Sequence, residues 1–391
     1  MLLDKMLAII SELNDLIAER KDSIECTAIG LLTKKNVFKY GDTGQAKSYE
    51  IDQFRDRIKG SKQFAYLLTK QADETALFGH IDLKSLIDGN PKINITNKIP
   101  ECHFIFLDEL FKCNEGVLNS LLVALNERRY TNEGETLPIP TISFLAASNE
   151  IPNFDDHDDQ ILRPLYDRFE LKVVTDYIKS PDALLRVTLR RQRGAEERSE
   201  AEITLEELYA MQKEVAGVTV PEQISELVID ICCELRERNI HVSDRKIINY
   251  HPIVQAKAWL SGRNIVQDTD LSVLKHYLWT KLEDIPVIQQ VLDKFCLSPL
   301  QEVIKEITLS ADESYKEFLK SIKDKPNSAN RAMVKLRGEL AKISRMLKDM
   351  QTDTHDSDGI AAIENAIDEL ESINHEAHVK VEFPPVPLSL L

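Results

Sequence analysis

The chain's 391 residues suffice for two or three domains, each with its own core, and its 43% apolar and 29% charged content is ordinary for a globular protein. No apolar run follows a basic N-terminus and no stretch of about 20 apolar residues occurs, which speaks against a signal peptide and a membrane-spanning helix. The net charge of −16, from 65 acidic and 49 basic side chains, disfavours broad binding to nucleic acid or anionic lipid. The cysteines (Cys26, Cys102, Cys113, Cys232, Cys233, Cys296) are scattered without metal-ligand spacing, and Cys232-Cys233 reads as part of an apolar helix face. A reduced, cytoplasmic setting is the expectation.

A helix is expected near residues 3 to 20, followed by a short strand in "NVFKYG" with Val37, Phe38 and Tyr40 apolar. "GDTGQAKS", Gly41 to Ser48, then nearly spells the phosphate-binding pattern G-x-x-x-x-G-K-[ST], with Ala46 in place of its last glycine. "SYEIDQFRDRIKG" reads as a helix ending at Gly60, so the loop lies between strand and helix, the context the pattern requires. A helix N-terminus with free N–H groups attracts anions, Lys47 adds a full charge, and the Ser48 hydroxyl suits magnesium. Alanine is small enough for the first turn, although by itself such a loop could still be a chance turn.

"CHFIFLDEL", residues 102 to 110, is a continuous apolar run ending in Asp108 and Glu109. A strand apolar on both faces belongs inside a parallel sheet, and its C-terminal end is where ligands bind in such sheets. One carboxylate there can hold magnesium through water and the second can polarise an attacking water. A third strand, "TISFLAASNE", ends in Asn149, whose amide can orient that water, and "LRPLYDRFELKV" sets Arg168 just before the next strand.

"RVTLRRQRGAEERSE" runs its basic residues directly into acidic ones and reads as a solvated helix or linker. Residues from about 176 to 295 read as helical, with "PEQISELVIDICCELRER" showing apolar residues at i, i+3, i+4 and i+7 and Pro221 in its first turn. From about 296 onward, helical patterns in "RAMVKLRGELAKISRMLKDM" and "GIAAIENAIDELESI" are broken by the polar "KDKPNSAN" and "TDTHDSDG". A helical hairpin that docks a partner and a simple packing appendage are both open there, and "VEFPPVPLSLL" reads as an extended, proline-rich end.

With these stretches in place, the chain resembles the MoxR group of AAA+ ATPases, and within it the RavA (regulatory ATPase variant) type. The matching stretches include "GDTGQAKS", "FIFLDELFKCNEGVLNSLLVALNERRYTNEG", "FLAASNEIP", "LYDRFEL", "HVSDRK" and "AWLSGRNIVQDTDLSVLKHYLW", over roughly residues 8 to 295. The resemblance implies an α/β P-loop core over residues 1–175 with a parallel sheet and helices on both faces, a helical lid over 176–295, and a divergent helical region over 296–391. It implies a Walker A loop of Gly41, Asp42, Thr43, Gly44, Gln45, Ala46, Lys47 and Ser48, with Lys47 on the β- and γ-phosphates and Ser48 on Mg2+. It implies that Asp108 and Glu109 form Walker B, Asp108 with Mg2+ and Glu109 activating water. Asn149 corresponds to sensor 1, Arg168 to an arginine finger given to a neighbouring subunit, and Arg245 to the sensor 2 arginine of the lid. "LFGHIDLKSLIDGNPKINITNKIPE" matches the helix-2 insert, a hairpin that in such rings faces the pore or a partner.

Asp42 and Thr43 stand where the family usually has prolines, and Lys39 stands in a strand that is normally apolar. Arg163 is an alternative to Arg168 as the finger, and Arg128 and Arg129 read equally as interface residues or as a capped helix end. His80, His103, His251 and His276 read as structural rather than ligating. The resemblance implies a cytoplasmic, ring-forming (hexameric) ATPase using ATP, ADP and Mg2+, acting as a remodelling or assembly factor for a client complex, with a von Willebrand A-domain partner. Two rivals remain: a slow scaffold in which ATP is only a switch, favoured by Asp42 and Lys39, and a DNA-acting motor, disfavoured by the acidic charge.

Overall fold

In a computed structural model of the chain, five short parallel strands form the sheet on which the site is built. The structure describes residues 1–87, 92–132, 135–157, 159–192, 201–296, 299–324, 329–353, 357–381 and 386–388. The chain divides into two compact units, residues 1–292 and 293–391.

The first unit opens with helices α1 (Leu2–Leu16) and α2 (Lys21–Thr33), strand β1 (Val37–Tyr40) and helix α3 (Lys47–Asp56). Strands β2 (Ile58–Lys59) and β3 (Gln63–Leu67) follow, then α4 (Glu74–Phe78), β4 (His80–Ile81), α5 (Leu83–Ile87) and β5 (Ile93–Asn94). Next come β6 (Phe104–Asp108), α6 (Glu115–Glu127), the hairpin β7 (Arg129–Asn132) and β8 (Glu135–Pro138), β9 (Ser143–Ser148), α7 (Arg163–Tyr166) and β10 (Leu171–Val174). The order β10-β1-β9-β6-β3 is parallel throughout and puts β9, whose six residues are all buried, at the centre. This is the arrangement that strands apolar on both faces require.

Alternation along β1 shows the two covered faces. Phe38 packs edge-on against Phe111, Tyr166 and Phe169 on one side. Lys39 points to the other, where α2 and α3 lie, and is fully buried against Glu50 of α3 and Ser23 of α2. The charge that interrupts the apolar strand is thus internally neutralised.

Several local expectations are corrected. The opening helix stops at Leu16, and a second helix, α2, follows after Glu19 turns the backbone at φ 55°. α2 is buried over nearly its whole length, so it lacks the one-sided pattern by which helices are read. The helix after the phosphate loop ends at Asp56 rather than Gly60, because Ile58–Lys59 pairs in parallel with β11 (Ile203–Thr204). The insert forms a two-stranded hairpin, β4 with β5, around α5; residues 88–91 of that stretch lie outside the described residues.

Beyond β10 the first unit is helical: α8 (Pro181–Gln192), α9 (Leu205–Ala216), α10 (Glu222–Glu237), α11 (Asp244–Ile248), α12 (His251–Leu260), α13 (Lys275–Leu278) and α14 (Asp284–Cys296), which runs into the second unit. Part of the basic-to-acidic stretch, residues 193–200, lies outside the described residues. Pro221 caps α10 instead of sitting in its first turn, and Cys232 is buried while Cys233 is exposed.

The second unit holds three long helices rather than a hairpin: α15 (Pro299–Asp324), α16 (Ala329–Asp353) and α17 (Ser357–Lys380). Ile304, Ala311 and Phe318 of α15 meet Met333, Leu336, Leu340 and Leu347 of α16 and Ile363, Ala366, Leu370 and Ala377 of α17. With Ile307 and Tyr315 of α15, Ile343 of α16 and Ile373 of α17 between them, each helix presents an apolar stripe at three- and four-residue spacing. Of the closing "VEFPPVPLSLL", residues 382–385 and 389–391 lie outside the described residues. Within 386–388, the Val386 carbonyl accepts from Asn374 at 2.9 Å and Leu388 is buried.

Candidate functional site

The loop from Gly41 to Ala46 leaves β1 at the C-terminal edge of the sheet and delivers the chain into α3. Gly41 is required by space: a Cβ there would stand 2.1 Å from Gln45 Oε1 and 2.2 Å from Thr175 Oγ1. Gly44 has φ +83° in open space, and Ala46 takes φ 58°, ψ 24°, a left-handed conformation that glycine adopts more readily. The loop is tied down from three sides. Gly41 N donates to Ser148 O (3.2 Å), Thr175 Oγ1 donates to Gln45 Oε1 (2.7 Å), and the buried Arg20 guanidinium donates to Gln45 O (3.3 Å) and Asp176 O (2.6 Å).

Lys47 folds back on this loop, its ammonium donating to the carbonyls of Gly41 and of Asp42 (2.9 Å for the latter). Burial lowers its pKa, while the carboxylates of Asp108, Glu109 and Asp42 act in the opposite direction. Asp42 itself is exposed, as is Thr43. The Ser48 hydroxyl donates to Asp108 Oδ2 at 3.4 Å.

Strand register places the other residues beside these. Asp108 of β6 pairs with Ala147 of β9, and Tyr40 pairs with Ser148, so Asp108, Glu109 and Asn149 lie at the same sheet edge as Gly41. Glu109 takes a left-handed conformation (φ 53°, ψ 51°), its N–H donating to Asp108 Oδ1 (3.0 Å), and its Oε2 lies 3.2 Å from Lys112 Nζ. Among the described residues, Asn149 Oδ1 is buried without a hydrogen-bond partner, and the buried Glu109 Oε2 has its Lys112 ion pair but no hydrogen bond of good geometry. These two under-satisfied acceptors beside a lysine, a hydroxyl and a carboxylate form a site that favours a cation and donors.

Arg168 lies at the opposite edge. It precedes Leu171, which pairs with Val37 at the start of β1, and its carbonyl accepts from Asn36 at 2.8 Å. A four-residue strand separates the two edges by roughly 13 Å. Arg163, Arg168, Arg245 and Lys246 line one cavity of about 380 Å³ there with Asp167 and Glu170, and Arg168 Nε is buried without a partner among the described residues. The structure therefore brings Arg245 to Arg168 and not to the phosphate loop of its own chain.

Sequence reasoning missed Arg20, Thr175 and the Lys39–Glu50 pair. Glu50 could have been found with Lys39, since each puts a charge where an apolar neighbour is expected. Nothing local marks Arg20 or Thr175. Arg128 caps α6 in a left-handed conformation, stacks 4.8 Å from the Phe144 ring and donates to Asn36 Oδ1 (2.7 Å). His276 is held down to a pKa of about 4 by burial, and His103 Nδ1 accepts from Lys62 N at 2.9 Å. Among the described residues no cluster of three or more metal-ligating side chains occurs, and no helix is long and apolar enough to cross a membrane.

Residues 4–213 match the family model described as "MoxR domain in the MoxR-vWA-beta-propeller ternary systems", and residues 223–292 match an AAA lid domain. Two uncharacterized proteins of Methanocaldococcus jannaschii are each 30% identical. One aligns over 292 residues, 74% of this chain and 74% of the relative, and the other over 274 residues, 70% and 71%. A structural protein of Acidianus two-tailed virus is 28% identical over 167 residues, 42% of this chain and 26% of that protein. The crystal structure of a "putative ATPase" from Cytophaga hutchinsonii superposes with a TM-score of 0.60 at 19% identity, covering 75% of this chain and 94% of the other, which shows the shared fold. The loop, the paired carboxylates and the parallel sheet agree with the family match over more than half of the sequence: the chain belongs to the MoxR family of AAA+ ATPases.

Proposed function

We propose that the protein hydrolyses ATP, with Mg2+, as a hexameric ring that remodels or assembles a partner complex. The observation that carries this reading is the division of the site between two sheet edges. Lys47, Ser48, Asp108, Glu109 and Asn149 gather at one, Arg168 and Arg245 at the other. One chain then supplies half of a complete site, and a neighbour supplies the rest across a subunit boundary.

The residues present fit nucleotide and metal. The loop backbone is open at Gly44, where nothing lies within 4 Å of an added Cβ, and the ten-residue α3 points its N-terminus into the loop. Lys47 would exchange its loop carbonyls for phosphate oxygens. Ser48 and Asp108 would hold Mg2+, whose charge would offset that of the phosphates. Glu109 would take the proton of the attacking water, with Asn149 orienting it. A cavity of about 340 Å³, lined in part by Thr175 and Arg20, which both bond Gln45 of the loop, and by Asp176 and Tyr177, would receive the base. Arg168 and Arg245 would steady charge on the terminal phosphate held by the neighbouring chain.

The family description supports a partner with a von Willebrand A domain and extends it to a β-propeller protein. A RavA-type role, a chaperone-like activity and a cytoplasmic setting complete the reading, with residues 1–175 as nucleotide-binding core, 176–295 as lid and 296–391 as docking region. The rival switch reading loses one of its two supports, because Lys39 is neutralised by Glu50. Steady-state ATPase and size-exclusion mass, with and without duplex DNA, test the proposal. Turnover in a large ring that ignores DNA is expected, and a monomer without turnover would refute it. Capture with the Glu109→Gln protein should then retain the von Willebrand A-domain partner.

A further inference from the structure

The cavity that unites Arg168 and Arg245 raises the question of what holds the two arginines in register. They come from distant parts of the chain, one following α7 and the other on α11. Residues 277–280 join them. Lys246, the residue after Arg245, donates from Nζ to Leu278 O (3.2 Å) and Trp279 O (3.3 Å), and its own carbonyl accepts from Tyr277 OH (3.0 Å). On the other side, Trp279 Nε1 donates to Lys172 O in β10 (3.3 Å) and Tyr166 OH donates to Thr280 O (2.9 Å). Tyr166 and Trp279 are fully buried, and Tyr166 stands two residues before Arg168.

We propose that Lys246 is a positioning residue, which straps the α11 turn to residues 277–280 and thereby holds Arg245 at a fixed separation from Arg168. The inference deepens the proposed function and rests on its assignment of both arginines to the neighbouring nucleotide. The geometry accounts for an amine at this position. Two adjacent main-chain carbonyls at the end of α13 need donors, and Lys246 serves both from one tetrahedral ammonium. Its partners are on the segment that also bonds β10 and the end of α7, so the strap is anchored twice to the core. Burial lowers the Lys246 pKa to about 8, with Asp167, Asp284 and Glu170 acting in the opposite direction. Without the ammonium, the α11 turn keeps its Ser243 cap and the Tyr277 bond to the Lys246 carbonyl but loses the two bonds to Leu278 O and Trp279 O that complete its tie to the Arg168 side.

A displacement of about 1 Å in a group that stabilises the reacting centre can cost roughly a hundredfold in rate. Lys246→Met should therefore lower kcat by about 10- to 100-fold, leave nucleotide affinity at the chain's own loop unchanged, and speed amide hydrogen exchange across residues 277–280. Mixed with Glu109→Gln protein, it should regain activity, because the defect sits on the arginine side of each boundary. Loss of nucleotide binding, or no recovery on mixing while Arg168→Ala does recover, would assign Lys246 to general folding and overturn the inference. Arg168→Ala separates the two levels. If that variant keeps full turnover, the arginine reading itself fails. If it is dead while Lys246→Met turns over normally, only the strap is wrong. Should Lys246→Met not fold, Trp279→Phe removes one bond of the same strap while keeping an aromatic ring. It should lower kcat several-fold with unchanged affinity and the same recovery on mixing, and unchanged kcat would overturn the proposal.

Discussion

Lys39 and Glu50 offer the sharpest test of how the phosphate loop is supported. Their side chains are 0% and 1% exposed and in direct ionic contact, with Ser23 Oγ accepting from Lys39 Nζ at 3.0 Å and donating to Glu50 Oε2 at 2.8 Å. Lys39→Met keeps the bulk of the lysine stem but leaves the Glu50 carboxylate buried with the Ser23 and Thr27 hydroxyls (2.8 and 3.4 Å) and no directly paired cation. Breaking a buried pair from one side costs about 3 to 5 kcal/mol, whereas replacing both partners by apolar groups is close to neutral. The single variant should thus lower the thermal midpoint of the first unit by roughly 5 to 15 °C. Lys39→Met/Glu50→Leu should recover most of the loss. Because Glu50 lies two residues beyond Ser48 in α3, the single variant should also weaken nucleotide binding, and the double variant should restore it. Calorimetry and fluorescent-nucleotide titration on the four proteins of the cycle provide the measurement. A single variant within about 1 kcal/mol of the parent, or a double variant no better than the single, would show that the pair does not carry the burial energetics argued for it.

Ala46→Gly should stabilise the loop by about 1 kcal/mol, since alanine at φ 58° bears a left-handed penalty that glycine lacks; an unchanged or lower unfolding midpoint would contradict this. Glu109→Gln should keep ATP binding and lose nearly all turnover, while Lys47→Ala should lose binding itself, both read by titration and steady-state assay. Arg168→Ala should bind ATP but turn over slowly, an effect of roughly 10³ to 10⁵ for an arginine supplied across a boundary. Mixing it with Glu109→Gln protein should restore part of the activity once subunit exchange is verified. Deleting residues from 300 onward should leave turnover and assembly intact, because every nucleotide motif lies in the first unit; collapse of solubility or activity would make the three-helix unit part of the core's fold.

The elements legible in the sequence are those specified by neighbouring residues. "FIFLD" and "SFLAAS" announce buried strands because an apolar run has few other homes, and "GDTGQAKS" announces a loop because glycine spacing and a following lysine act within one turn of chain. That Lys47, Asp108 and Asn149 share one sheet edge was readable for the same reason, since each ends a recognisable local pattern. α2 escaped because it is buried on nearly every side, and α15 escaped because only the two apolar-patterned stretches after it were read, which suggested a pair.

Tertiary structure alone decided which distant residues meet. Arg20 reaches Gln45 across 25 positions and Lys39 finds Glu50 through the packing of α3 on β1, contacts whose free energy depends on shared burial rather than on any local propensity. The resemblance marks Arg245, yet only the folded chain shows that it lines one cavity with Arg168. The motifs were therefore determined by sequence, because backbone conformation and side-chain chemistry act over a few residues. Their division between two edges of the sheet was decided by the fold, because parallel strands put everything that follows a strand at one end and everything that precedes it at the other.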